Sequence, residues 1–278
     1  MKARRLINEM TQYGFIPSKI PSRMINNHLP MVLANSIPKS GTNLLLRSLY
    51  MMPAIYRKLT MTINSFNEGR ALEVLRRTKK GQIVAGHLKH SGNLSSALDR
   101  RNIKHILIIR DPRDIAVSNY IYITYKDKSH RLHEYFANAL HDDGERLHAS
   151  ISGISANLLK EHIPSHPLSE HIRGYLPWFR NENVLLIKFE DLIGSKGGGR
   201  RQCQIDTLDK ISRHIGIKLD SKTRCRIADS IFYPNSRTFV KGRIGTWKHH
   251  FNNEHKIEFK RLFGDILAVM GYEKDASW

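Results

Sequence analysis

Between residues 38 and 43 the chain reads Pro-Lys-Ser-Gly-Thr-Asn. A lysine, two hydroxyls and a glycine in one short loop are the parts of an anion cradle. Lys39 brings a full positive charge, Ser40 and Thr42 bring hydroxyl donors, and Gly41 lets the backbone approach a ligand closely. The apolar run before the loop, from Met31 to Ile37, is predicted as a buried strand, and Leu45, Leu46, Leu49 and Met52 after it follow helical spacing. A strand feeding such a loop at a helix start turns backbone N–H groups, through Asn43, and the positive end of the helix dipole onto an anion. The order differs from the nucleotide-binding pattern GxxxxGK[ST], because here the lysine precedes the glycine.

Further segments carry groups of the same kind. Arg110 follows the apolar run His105–Ile109, so it is expected where a parallel strand ends, the edge at which open α/β sheets bind ligands. Its planar fork suits a phosphate in bidentate fashion, and Ser118, about two helical turns beyond Asp111, adds a hydroxyl. The competing reading of Arg110 is a surface bridge to Asp111 or Asp114. In the stretch from Val240 to Lys248, Lys241 and Gly242 can approach an anion, and Trp247 reads as structural, closing the loop over the core. His87 stands just past a short strand, Gln82–Gly86; it is one of 15 histidines, with an imidazole that can take up a proton near neutral pH.

The elements that must position these groups are strands alternating with helices. Strands are expected at 31–37, 82–86, 105–109 and 184–189, and helices after residue 42, from Pro112, near 203–215 and 221–230, and as a last amphipathic helix carrying Ile257, Leu262, Phe263, Ile266, Leu267 and Met270 up to Gly271. This pattern predicts a three-layer α/β fold with a central parallel sheet flanked by helices. Residues 1–30 read as an N-terminal extension packing on a single domain, 31–278. The Gly-rich stretch 194–199 reads as a flexible turn.

Composition narrows the partners. The formal net charge is +20, and 16 Lys and Arg face only 6 Asp and Glu between Lys196 and Arg261. Such a balance calls for negatively charged ligands. Charge alone would also admit nucleic acid, but no known recognition pattern occurs and the aromatics form no stacking array, so no specific nucleic acid is expected. No run of about 18 apolar residues exists to span a membrane. The two cysteines, Cys203 and Cys225, form no disulfide framework, and the start of the chain lacks the apolar run of a signal peptide. These features give the expectation of a cytoplasmic protein. No metal-ligand spacing stands out among the histidines.

Together the motifs resemble the PAPS-dependent sulfotransferases (PAPS is 3′-phosphoadenosine-5′-phosphosulfate). Pro38-Lys-Ser-Gly-Thr42 is similar to that family's 5′-phosphosulfate loop, PKSGTxW. Arg110-Asp-Pro-Arg-Asp-Ile-Ala-Val-Ser118 resembles its 3′-phosphate motif, Phe189-Glu-Asp-Leu192 its YEDL segment, and Val240-Lys-Gly-Arg-Ile-Gly-Thr-Trp-Lys248 its RKGxxGDWK loop. All lie in the family's order, over roughly residues 31–255. The resemblance implies a P-loop-like fold and in-line transfer of a sulfonyl group from PAPS to a hydroxyl or amine on a small-molecule, glycan or lipid acceptor. It implies His87, in a segment similar to KTHLP, as the base that deprotonates the acceptor, and Lys39 as the cation that stabilises the leaving phosphate oxygen. Donor binding would fall to Lys39, Ser40, Gly41, Thr42, Asn43, Arg110, Ser118, Phe189, Lys241 and Gly242. Residues 50–70 and 120–170, the least family-like, would line the acceptor pocket.

The sequence departs from the pattern at Leu44 for Trp, Phe189 for Tyr, Val240 for Arg, Ala85 for Lys and Thr246 for Asp, which bears on donor affinity; Phe232 is a further candidate for adenine packing. The alternatives are a P-loop-like kinase or nucleotide-dependent transferase, a basic nucleic-acid-binding protein, and an inactive ligand-binding relative.

Overall fold

A computed structural model describes residues 29–53, 55, 62–235, 240–275 and 277–278. In chain order its principal elements are β1 (Met31–Ser36), α1 (Thr42–Tyr50), β2 (Ile63–Asn64), α2 (Glu68–Arg77), β3 (Ile83–His87), α3 (Gly92–Arg100), β4 (Ile103–Ile109), α4 (Pro112–Ile121), α5 (Asp143–Ser152), α6 (Leu168–Arg173), β5 (Val184–Lys188), α7 (Phe189–Leu192), α8 (Arg201–His214), α9 (Ser221–Ser230), α10 (Asn253–Phe263) and α11 (Ile266–Val269). They fall into two compact units, 29–110 with 175–242 and 111–174 with 243–278.

The first unit contains the sheet, in the order β2-β3-β1-β4-β5. Every pairing is parallel, so the predicted central parallel sheet flanked by helices is what the chain forms. Leu33 in β1 and Ile106, Leu107 and Ile108 in β4 are wholly buried, which explains why these segments read as unbroken apolar runs: in a sheet covered on both faces neither side of the strand meets water. The chain leaves β1 toward β3 on one side and reaches β4 on the other. The order therefore reverses at β1, and a parallel sheet opens a crevice at the C-terminal ends of the strands flanking such a point. A histidine also lies in this core. His105, in β4, is 2% exposed, neither ring nitrogen has a hydrogen-bond partner, and the imidazole meets Trp178 edge to face at 4.6 Å. Burial pushes its pKa down to about 3.

The stretch 194–199 is not a flexible spacer. A Cβ on Gly197 would sit 2.2 Å from Ile193 Cγ1 and 2.8 Å from the Gly242 carbonyl, and one on Gly199 would sit 2.7 Å from the Glu190 carbonyl. These glycines are there because backbone packs on backbone, which composition cannot distinguish from flexibility.

The second unit is helical among its described residues. α4 begins with Pro112 at its first turn and is capped by Asp111, whose carboxylate accepts from the Arg113 amide at 2.9 Å. The expected last helix is broken: Gly264 has φ +52, and the chain resumes as α11, while Ile257, counted among its apolar residues, is 68% exposed.

Candidate active site

The site grows from the end of β1. Ser36, the last strand residue, is wholly buried, and the chain turns sharply after it. Lys39 takes φ +70 and Gly41 φ +102, both in the left-handed region, while the Ser40 amide donates back to the Ile37 carbonyl at 3.0 Å. Left-handed backbone costs a side-chain-bearing residue about 1 kcal/mol or more, so Lys39 is held by its surroundings. The turn delivers the chain into α1 with Gly41 as N-cap, no side-chain cap and no acidic residue in the first turn. The amides of an α-helix's first turn have no partner within the helix, and here no carboxylate offsets the dipole. The Ser40 hydroxyl is buried in the same loop without a hydrogen-bond partner. An uncapped helix start, an orphaned buried hydroxyl and an adjacent lysine fit an anionic group such as a phosphate.

The neighbouring strands complete this edge. Arg110 ends β4, 6% exposed, with its Nη1 3.5 Å from the Lys39 carbonyl and its guanidinium 4.4 Å over the Phe189 ring. Phe189 follows β5 directly and packs against the turn, since a Cβ on Gly41 would lie 2.7 Å from its Cδ2. Lys39, Ser40, Gly41, Thr42, Asn43, Arg110 and Phe189 thus gather at the C-terminal ends of three adjacent strands, β1, β4 and β5. The two acidic neighbours considered as partners of Arg110 also take other donors. Asp111 accepts from Arg113 Nε and Nη2 at 3.0 and 2.8 Å, and Asp114 accepts from the Gly245 and Trp247 amides, each at 2.9 Å.

His87 ends β3 on the other side of β1. Its Nδ1 lies 2.9 Å from the Ser36 carbonyl and 3.1 Å from the Ser36 hydroxyl. A carbonyl only accepts, so Nδ1 carries the proton and Nε2 keeps its lone pair. Burial first, and the nearby Lys39 charge, hold the imidazole below the usual histidine range, against the opposing pull of the Ser36 carbonyl. At neutral pH it is therefore a neutral ring with a fixed tautomer, the state required of a general base. Its own carbonyl accepts from the Ser65 hydroxyl at 3.3 Å, and the same hydroxyl accepts from the Lys89 amide at 2.6 Å.

The remaining expectations distribute as follows. Lys241 is exposed, and Gly242 turns at φ +57 with its carbonyl against Gly197. Ser118 lies in α4 of the second unit, 9% exposed. Leu44 and Ala85, where the motifs differ from their usual form, are buried core residues. Within the supposed acceptor segments, residues 54 and 56–61 lie outside the described residues. Trp247 is structural in the sense expected: Arg113 lies 4.1 Å over its ring, and Phe251 and Trp278 meet it edge to face. Sequence reasoning missed Ser36, which binds residues six and 51 positions away; no local pattern marks it. Among the described residues no cluster of three His, Cys, Asp or Glu could hold a metal ion, and no helix is long and apolar enough to cross a membrane.

Comparison with known proteins shows the family. The family model described as "Sulfotransferase domain" matches residues 29–271. The 3-beta-hydroxysteroid sulfotransferase of Cavia porcellus is 25% identical over 254 residues, 83% of this chain and 81% of that protein. Sulfotransferase 2A1 of Homo sapiens is 23% identical over 272 residues, 87% of this chain and 86% of that protein. Among solved structures, mouse sulfotransferase SULT7A1 complexed with PAP superposes with a TM-score of 0.59 at 19% identity, covering 88% of this chain and 85% of that one. The match spans the 38–43 turn, the His87 strand and the Arg110 strand alike, and the chain belongs to the sulfotransferase domain family, enzymes that move a sulfonyl group from PAPS to an acceptor.

Proposed function

We propose that the 38–43 turn seats the 5′-phosphosulfate of PAPS, that His87 Nε2 removes the proton of an acceptor hydroxyl or amine, and that Lys39 stabilises the charge developing on the leaving phosphate oxygen. The observation that carries this reading is the pinned imidazole of His87, neutral and with Nε2 free to accept, one strand away from an uncapped helix start. Sulfonyl transfer then needs little more than alignment and charge. The sulfur–oxygen bond to the phosphate breaks as a new one forms to the acceptor, the electron pair stays on the phosphate oxygen, and the acceptor proton ends on Nε2. Arg110 is proposed as the partner of the 3′-phosphate and Phe189 as an aromatic wall beside it. The PAP complexed with the mouse sulfotransferase supports the donor. The parts of Ser118, Lys241 and Gly242 rest on the sequence resemblance alone.

For the acceptor, the names of the relatives point to steroid hydroxyls in those proteins. In this chain Phe66, 94% exposed and next to the Ser65 that holds the His87 strand, offers apolar surface on the acceptor side. A small-molecule, glycan or lipid acceptor with an apolar face is therefore proposed. The free thiols of Cys203 and Cys225 favour a reducing, cytoplasmic setting.

Calorimetry with adenosine 3′,5′-bisphosphate against ATP tests the donor site. Micromolar binding that weakens by about 1.5–3 kcal/mol in Arg110→Ala is expected, the size of a hydrogen bond to a charged group; equal preference for ATP would overturn the assignment. With labelled PAPS and a panel of steroid, phenol, sugar and amine acceptors, His87→Asn should lower kcat by about 100-fold or more while donor binding persists.

A further inference from the structure

Ser36 contacts both halves of the reaction. Besides its bonds to His87, its hydroxyl lies 2.7 Å from Thr42 Oγ1 and 3.5 Å from the Gly86 carbonyl. The directions of these bonds are constrained. Because the one proton of His87 Nδ1 faces the Ser36 carbonyl at 2.9 Å, the Ser36 hydroxyl cannot donate to that nitrogen and shares its N–H as a second acceptor at 3.1 Å. Two acceptors remain for its own proton, Thr42 Oγ1 at 2.7 Å and the Gly86 carbonyl at 3.5 Å, and the shorter bond favours Thr42. Thr42, accepting there, is left to donate its proton outward, into the turn that opens α1.

We propose that Ser36 is a positioning residue that couples the donor phosphate to the base through a relay of hydroxyls, His87 Nδ1–H to Ser36 Oγ, Ser36 O–H to Thr42 Oγ1, and Thr42 O–H to a phosphate oxygen. The inference rests on the reading of His87 as the base and of the 38–43 turn as the donor seat. No proton travels along the relay. The acceptor proton ends on Nε2, and the relay lets the imidazolium that forms share its charge with the phosphate through aligned dipoles, which polarise one another in a dry site. Donor binding would thereby prepare the base before the acceptor is deprotonated. Lys39 is the charged group that acts on the ring; Glu68, on the neighbouring α2, is occupied by the Ser91 hydroxyl at 2.7 Å.

Ser36→Ala and Thr42→Val break the relay at different links, and Thr42→Ser keeps it. The pKa of His87, read from its imidazole signals by NMR with and without adenosine 3′,5′-bisphosphate, should rise on binding in the wild type and in Thr42→Ser, and should rise by less than half as much in Ser36→Ala and Thr42→Val. The acceptor kcat/KM of Ser36→Ala should fall about 10-fold, the size of one hydrogen bond to a charged group, with the acid limb of its pH profile displaced and the KM for PAPS within about 2-fold, since Ser36 itself does not touch the donor. Combining Ser36→Ala with Thr42→Val should cost little more than Thr42→Val alone, because both cut the same relay and only Thr42→Val also removes a donor contact. An undiminished rise in the His87 pKa in Ser36→Ala, or fully additive losses in the double variant, would overturn the relay. Full activity of His87→Asn would instead remove the base assignment beneath it. If Ser36→Ala does not fold, Thr42→Val against Thr42→Ser carries the same comparison.

Discussion

Two loops singled out by similar sequence patterns are built in opposite ways. The turn at 38–43 is held by its backbone: two left-handed residues, an amide returned to the Ile37 carbonyl, and glycine where the Phe189 ring leaves no room for a Cβ. The loop at 243–250 is held by side chains. Asp114 takes two of its amides, and Arg113, 3% exposed, pairs with Asp111 at 2.8 Å and Glu273 at 2.6 Å while lying over the rings of Trp247 and Trp278. The first arrangement leaves the Ser40 hydroxyl and the uncapped start of α1 available to the proposed donor, because the backbone holds the turn. The second consumes buried charges and aromatic faces to anchor a loop whose own backbone closes only a short 3-10 turn, with the Lys248 amide on the Gly245 carbonyl and the His250 amide on the Trp247 carbonyl. A backbone-built site should therefore fail through glycine and strain, and a side-chain-built loop through loss of a single charge.

The largest effect is expected at Arg113. Arg113→Ala strands Asp111 and Glu273 beside the cavity it leaves, and should cost about 3–5 kcal/mol of stability, the size seen when one member of a buried ion pair is removed. Chemical denaturation measures this; a loss under 1 kcal/mol would mean that the charges relax into solvent and that the loop needs no such anchor.

Next comes acid. His105 has a folded pKa of about 3 against 6.5 in a solvated chain. Above pH 6.5 neither state is protonated. Below it the unfolded chain takes up a proton that the folded chain refuses, so stability falls with pH between 6.5 and 3, on the order of 1 kcal/mol per pH unit. The melting temperature should drop across that window, and His105→Leu should flatten the slope. An unchanged slope in that variant would shift the acid sensitivity to other groups, such as His87 and His214, which burial also lowers.

Gly41→Ala tests the backbone-built turn directly. The added Cβ meets Phe189 at 2.7 Å at a φ of +102, and about 2–3 kcal/mol of destabilisation is expected with donor affinity lost in parallel. Gly41→Ala combined with Phe189→Leu should recover part of the steric cost and none of the conformational one. The smallest effect belongs to Trp278→Ala. It removes one of two rings over the buried Arg113 and a perch for Lys260, 5.2 Å from the ring centroid, and should cost about 1–2 kcal/mol, toward the desolvated end of the cation–π range. It should also lower protection of the 243–250 loop in limited proteolysis.

Much of this molecule was legible before folding. Unbroken apolar runs at Met31–Ile37 and His105–Ile109 announced strands covered on both faces, and alternation of strands with helices announced a parallel sheet. The turn, Arg110 and Phe189 then had to meet because parallel strands end at one edge. Other features were not legible, for a common reason. A two-residue strand at Ile63–Asn64 has no period to detect. Tight glycine packing at 197 and 199 looks like flexibility in composition. A final helix broken at Gly264 carries helical spacing on both sides of the break.

What the sequence by itself determined was the fold class, the family and the kinds of group at the strand ends, because hydrophobic period and short motifs are local properties. What only the tertiary structure decided was which nitrogen of His87 holds a proton, which carboxylates Arg113 takes, and that Ser36 joins residues 42 and 87. These are settled by contacts between atoms far apart in the chain, and distance along the sequence carries no record of them.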